Sequence, residues 1–242
     1  MRKVGHNSSA KRGLVAFALE VEAAAVIRVL SNRDGVRLPS PRFCFPTTVH
    51  RSGWEWQMCV FGPGEAFDRH LTWHLQELAF KPDFALLAGF SGGLSPQSNT
   101  GFAFEVLEIR NPPQTPILVP PMGLAPSAAS FHFTGLFSHP FDKAKCYQTT
   151  GCDLVDMESS YFSQTMKSSE IPFGILRTVS DGPKDALPVQ AIHWVDTKGK
   201  LALGRLIRDV LRSPGLVRDL FRLAKASNTA GKSLGDLVLS AL

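Results

Sequence analysis

The chain has little that would commit it to a metal, a membrane span or a nucleotide phosphate. Its four cysteines, Cys44, Cys59, Cys146 and Cys152, include no Cys-x-x-Cys pair. The spacing of a structural zinc site or a redox dithiol is therefore missing, and free buried thiols in a reducing compartment are the simpler reading. No uninterrupted apolar stretch approaches the ~20 residues that cross a bilayer. Residues 1–12 are polar and basic with no apolar core behind them, and read as a disordered leader, not a secretion signal. The glycines at 89, 92 and 93 lack the Lys-Ser/Thr ending of a phosphate-binding P-loop and the spacing of a dinucleotide fingerprint. No internal repeat stands out. The formal charge of +5 is not gathered into one run. No base-reading or stacking module accompanies it, which argues against a nucleic-acid partner.

What is present is a globular composition. With 242 residues, 44% hydrophobic and 19% charged, the chain suffices for one good-sized core. Short apolar runs at 13–19, 54–61, 84–88, 101–110, 152–155 and 173–179 read as strands. Helical spacing marks 20–30, 65–80 and 158–167. Strands alternating with helices predict an α/β fold with a largely parallel sheet. Residues 89–94 read as a glycine-rich loop after the third strand. The stretch 111–140, dense in proline and glycine, reads as the least regular part and a mobile flap. After Pro188 the pattern is helical and basic, split by Ser213-Pro214-Gly215. The expected organisation is a leader (1–12), a catalytic domain (13–200) and a basic amphipathic helical tail (201–242).

Three acidic elements close three apolar runs: Glu20-Val21-Glu22, Val155-Asp156-Met157-Glu158-Ser159, and Arg177-Thr178-Val179-Ser180-Asp181. Carboxylates at strand ends meet at the carboxyl edge of a sheet, where α/β folds bind ligands. An ionised Glu158 there accepts two hydrogen bonds from vicinal sugar hydroxyls, with Met157 as apolar backing. Asp156 is better read as a helix cap. Asp181, in a partly dry site, suits a carboxylic acid that hands a proton to a leaving base, with Ser180 orienting it; the bland alternative is a turn before Gly182-Pro183. The glycines at 89, 92 and 93 serve equally to let backbone N–H groups approach a sugar or an anion, or simply to turn.

In order along the chain, FALEVEAAAV, FGPGEA, LLAGFSGGL, LVDMESSYF and ILRTVSDGP resemble the nucleoside phosphorylase/nucleosidase superfamily, and within it the methylthioadenosine/S-adenosylhomocysteine nucleosidases. LPVQAIHW and the basic LALGRLIRDVLRSPGLVRDLFRLAK extend the resemblance to the hopanoid-associated phosphorylase, or adenosylhopane nucleosidase, branch. The resemblance implies a three-layer α/β/α sandwich with a mixed, largely parallel sheet. It implies that Glu22 deprotonates an attacking water, that Met157 and Glu158 hold the ribose, and that Asp181 protonates the purine, with Ser180 and Arg177 as its neighbours. Gly92, Ser91 and Phe90 fall in the loop facing the nucleophile, and Phe137 near the base, where a core aromatic is the alternative. Phe90 stands where relatives often carry a serine, and Leu87 where phosphorylases of one branch carry a phosphate-binding arginine. Both departures favour hydrolysis over phosphorolysis, although Ser91 offers a hydroxyl nearby.

These features lead to a purine nucleosidase that releases adenine, with adenosylhopane as the specific substrate. A phosphate-dependent phosphorylase and a non-catalytic nucleoside-binding protein are the rivals. No metal or cofactor is expected, and phosphate as co-substrate is disfavoured. A homodimer follows from the resemblance. The tail reads as a helix packed on the domain or a dimer interface, or else as an interfacial helix on an anionic membrane. The expected location is the cytoplasm, with peripheral contact at the inner membrane as the extension of that second reading.

Overall fold

The computed structural model describes residues 10–77 and 81–242. The strands are β1 (Lys11–Phe17), β2 (Thr47–Arg51), β3 (Trp54–Val60), β4 (Phe84–Gly93), β5 (Ala103–Arg110), β6 (Ile117–Leu118), β7 (Ser127–His132), β8 (Leu154–Asp156) and β9 (Phe173–Asp181). The helices are α1 (Glu20–Asp34), α2 (Glu65–Glu77), α3 (Pro140–Thr150), α4 (Ser159–Ser168), α5 (Leu203–Arg212) and α6 (Leu216–Ala241).

The nine strands of the described residues belong to one mixed sheet, parallel in the pairs β1–β3, β1–β4, β4–β9, β5–β7 and β7–β8. From β4 the sheet runs through β9, β5, β7 and β8, and β8 returns to pair antiparallel with the end of β4 at Gly92 and Gly93. Five strands thus close into a ring, which draws the ends of β4, β8 and β9 together.

Side chains of a strand point alternately to opposite faces, and both faces here are covered. On β1, Leu14 and Ala16 join a core with Phe67 and Leu71 of α2 and Phe162 and Met166 of α4. Val15 and Phe17 join a second core with Val26 and Leu30 of α1 and Leu234 and Val238 of α6. The same alternation splits Ala85 and Leu87 from Leu86 and Ala88 on β4. This is the helix–sheet–helix layering expected of the sequence.

Several boundaries differ from the sequence reading. Lys11 and Arg12, read as part of the leader, belong to β1 and pair with Trp54 and Glu55; residues 1–9 lie outside the described residues. The end of the second expected helix, 78–80, also lies outside them. Residues 89–93, read as a loop, continue β4: 89–91 keep its register with β9, and Gly92 and Gly93 pair with β8. The stretch read as a flap contains β6 and β7, and Pro140 opens α3. The segment read as a tail divides in two. No residue of α5 is buried, whereas Ala230, Leu234, Leu237 and Val238 of α6 are core residues, with Gly231 and Gly235 facing Ala25 and Val29 of α1.

Candidate active site

A cavity of about 280 Å³ opens at the carboxyl ends of β1, β4, β8 and β9. Glu22, Glu158 and Asp181 line it together, with Ser91, Met157 and Ser180. Glu22 arrives on the first turn of α1, Glu158 just before α4, and Asp181 as the last residue of β9. The β4–β9 register places Ser91 beside Val179 and then Gly92 beside Asp181. Ser180 is the extra residue of this bulge, and a bulge at a strand end re-aims the side chains next to it.

One wall is organised around Arg177, which is fully buried (0% exposed) behind the cavity. Its Nη2 donates to Asp156 Oδ1 (3.0 Å), Glu158 Oε2 (3.4 Å) and Ser159 Oγ (3.2 Å), and Nη1 donates to the Phe90 carbonyl (3.3 Å). Asp156 also accepts the N–H groups of Glu158 (3.0 Å) and Ser159 (2.7 Å) and the hydroxyls of Ser130 (2.5 Å) and Ser159 (2.7 Å). Burial pushes its carboxyl up, but Arg177 and these donors outweigh burial and hold it below the usual range. Asp156 therefore ties off the start of α4 as an ion. Glu158 keeps one oxygen on the Gly64 N–H (3.1 Å) and one toward Arg177; burial, opposed by Arg177, raises its proton affinity.

Glu22 turns back over its own helix start. Oε2 accepts from the N–H of Ala18 (3.1 Å) and Leu19 (2.8 Å), and Oε1 accepts from Phe90 N–H (2.6 Å). Burial, opposed chiefly by the Phe90 N–H and Arg177, pushes its carboxyl up to about 7. A β-carbon on Gly89 would fall 2.6 Å from Arg177 Nη1 and 2.8 Å from Glu22 Oε1. A β-carbon on Gly92 would fall 2.9 Å from Val155 and 3.3 Å from Asp181 Oδ2. These two glycines thus serve close approach by side chains within a strand, not a turn.

The second wall centres on Asp181, 9% exposed. Its Oδ2 accepts from Lys143 Nζ (2.6 Å) and its Oδ1 from the Ser180 hydroxyl (2.7 Å). Burial pushes its carboxyl up against the pull of Lys143 and Ser180. Phe133 and Phe137, stacked at 4.5 Å and 10°, form an aromatic side of the cavity, and Leu187, Ala191, Ile192 and Val195 form an apolar rim. The Ser91 hydroxyl is buried on the cavity wall with no hydrogen-bond partner among the described residues.

The residues singled out in the sequence thus converge, with one exception: Arg177 stands behind the cavity wall and holds it, so it does not face a substrate as one of Asp181's neighbours. Sequence reasoning missed Lys143 and Phe133. Lys143, Cys146 and Tyr147 share one helical face by their spacing, which was the available signal for Lys143; its neighbour Lys145 is exposed.

The architecture is a nucleoside phosphorylase/hydrolase-type α/β fold. Residues 127–212 match the family model described as the Phosphorylase superfamily. The chain is similar to a putative 5'-methylthioadenosine/S-adenosylhomocysteine nucleosidase from Francisella philomiragia, with a TM-score of 0.65 at 12% identity, covering 95% of this chain and 97% of that one. It is similar to a variant nucleosidase from Chlamydia trachomatis bound to methylthioadenosine, with a TM-score of 0.64 at 15% identity over 96% and 97%. Futalosine hydrolase from Helicobacter pylori aligns with a TM-score of 0.64 at 12% identity over 96% and 99%. None of the curated proteins matches the chain.

Proposed function

We propose that the protein is a nucleosidase that cleaves the N-glycosidic bond of an adenosine-containing substrate with water and releases adenine. The observation that carries this reading is the convergence of Glu22, Glu158 and Asp181, from three separate segments, on one cavity with an aromatic side. As the bond from C1′ to the purine breaks, its electron pair leaves with the base. The O–H of Asp181 breaks and an N–H forms on the imidazole side of the purine. Glu22 takes a proton from the water whose oxygen bonds to C1′, and the carboxylates oppose the positive charge on the ribosyl ring. Glu158 holds the vicinal hydroxyls, with Met157 beneath the sugar.

Water is favoured over phosphate by the charges. Lys143 is the sole cationic side chain lining the cavity among the described residues, and its ammonium is taken by Asp181 and Gly182. Leu87 is fully buried in the core and offers an anion nothing. Ionised Glu22 would repel phosphate, and as a base it acts only when ionised, so adenine release rises through about pH 7.

The apolar rim of Leu187, Ile192 and Val195 supports a substrate with an apolar 5′ substituent, and together with the resemblance it points to adenosylhopane. The surface next to it fits a lipid setting. Leu203, Ile207 and Leu211 of α5 and Phe221 of α6 are exposed beside Arg205, Arg208 and Arg212, the pattern of an interfacial helix on an anionic membrane. Among the described residues no helix is long and apolar enough to cross one. Because α6 is part of the core, the fitting test is a Leu203→Ser/Leu211→Ser double variant, not a truncation: it should sediment less with phosphatidylglycerol vesicles than the wild type, and equal sedimentation removes the membrane contact. The homodimer rests on the resemblance, and sedimentation velocity tests it.

The activity is tested by adenine release from methylthioadenosine, S-adenosylhomocysteine and adenosylhopane, each with and without phosphate. The expected result is phosphate-independent release, fastest from adenosylhopane. Release only with phosphate makes the protein a phosphorylase, and binding without any release makes it a nucleoside-binding protein.

A further inference from the structure

Lys143 is placed where a lysine is costly. It is 1% exposed, among the largest fully buried side chains of the molecule. It also sits in the first turns of α3, where the helix dipole disfavours a cation. Three contacts compensate it, and all lie at the end of β9: Asp181 Oδ2 at 2.6 Å, the Gly182 carbonyl at 2.8 Å and the Asp181 carbonyl at 3.4 Å. These match the three N–H bonds of an ammonium. Ser180 holds the other carboxyl oxygen, so the Asp181 side chain is gripped from both sides.

We propose that Lys143 is the positioning residue of the acid: its ammonium fixes the Asp181 carboxyl at the cavity wall and stabilises the carboxylate that remains once the proton has gone to the leaving base. This rests on the nucleosidase reading and deepens it. In the step, the O–H bond of Asp181 breaks and the N–H bond of the purine forms, while Lys143 keeps all its protons. It supplies charge, not a proton. An ammonium at hydrogen-bond distance makes the carboxyl a stronger acid, and the bidirectional grip spares the reorganisation that a mobile carboxyl would require.

Other charges also face Asp181. Asp185, which accepts the Gly182 N–H at 2.8 Å, opposes Lys143. Arg222 and Lys225 of α6 line the neighbouring cavity that shares Asp181. Glu22, Asp156 and Glu158 line the active-site cavity itself. Among the described residues Lys143 alone of the cations touches the carboxylate, so removing its charge has a defined sign. Asp181 acts only when protonated. Without the ammonium it holds its proton to higher pH, so the alkaline limb of the pH–rate profile moves up, while the maximal rate falls because the acid is weaker.

The test is the pH profile of adenine release for wild type, Lys143→Met, Lys143→Gln and Lys143→Arg. Met and Gln should lower kcat by about 10- to 100-fold and move the alkaline limb up by roughly one to three pH units. Arg should leave the limb near its wild-type position. A limb that stays put in Met and Gln, whatever happens to kcat, overturns the proposal and leaves Lys143 a packing residue. If Met and Gln do not fold, 13C NMR of the Asp181 carboxyl in the wild type decides: it is expected to titrate together with the alkaline limb, and a limb that does not follow it overturns the proposal. Failure of the nucleosidase reading looks different, because the wild type itself then releases no adenine at any pH.

Discussion

Two buried cations serve the same cavity in different ways. Arg177 reaches Asp156, Glu158, Ser159 and the Phe90 carbonyl, and so joins β4, β8 and α4 into one wall. Among the described residues Lys143 hydrogen-bonds only to the end of β9. A planar, forked guanidinium suits the first task and a compact ammonium the second. The Arg177 wall fixes where carboxylates stand; the Lys143 wall holds the one carboxyl proposed to give up a proton. In the proposed reaction the cavity thus separates holding a sugar from protonating a base, with Glu22 pressed against the Arg177 side.

The sharpest way to break this division is Glu22→Gln. It should reduce adenine release by about 10²- to 10⁴-fold and leave nucleoside binding, followed by calorimetry, largely intact. An unchanged rate would mean that water is activated elsewhere. Next comes Arg177→Met, which leaves buried carboxylates without their counter-charge and should lower unfolding stability by about 3–5 kcal/mol in urea titrations. Lys143→Met, which strands a single carboxylate, should lose less; equal losses would erase the contrast between the walls.

Glu22 also links stability to pH. Its carboxyl is raised from 4.5 to about 7 in the folded protein. The folded state therefore holds the proton more tightly than the unfolded state. That contribution is fully present below about pH 4.5 and is lost as pH rises through about 7. The wild type should lose roughly 3 kcal/mol relative to Glu22→Gln across this window, read from urea midpoints at each pH; parallel curves would contradict a buried, proton-retaining Glu22. The smallest effect is expected for Phe137→Ala, which removes one ring of the stacked pair with Phe133. It should raise KM several-fold, corresponding to about 1 kcal/mol, with little change in kcat. A larger drop in kcat than in affinity would move Phe137 from base contact to holding Asp181's wall.

The layering was legible because residues 14–17 of β1 and 84–88 of β4 are apolar at every position, the mark of strands covered on both faces, and because α1 and α4 begin where apolar runs close in acidic residues. The carboxylate set was legible for the same reason: strand ends are visible in sequence. The ring closure was not, since β8 is only three residues long and pairs with β4 through two glycines that read locally as a turn. Lys143 was hidden among 26 lysines and arginines. Its burial is a tertiary fact set by the end of β9, and no local pattern separates it from Lys145 beyond its shared face with Cys146. The second half of α6 was obscured by its basic first half, although Leu234, Leu237 and Val238 carry the core face.

The account's central claim is that Asp181 delivers the proton that frees the base. Its most direct test is single-turnover adenine release by Asp181→Asn, with binding of the same nucleoside measured in parallel. The expected result is binding close to that of the wild type with release slowed by about 10²-fold or more. Release at the wild-type rate would contradict the claim.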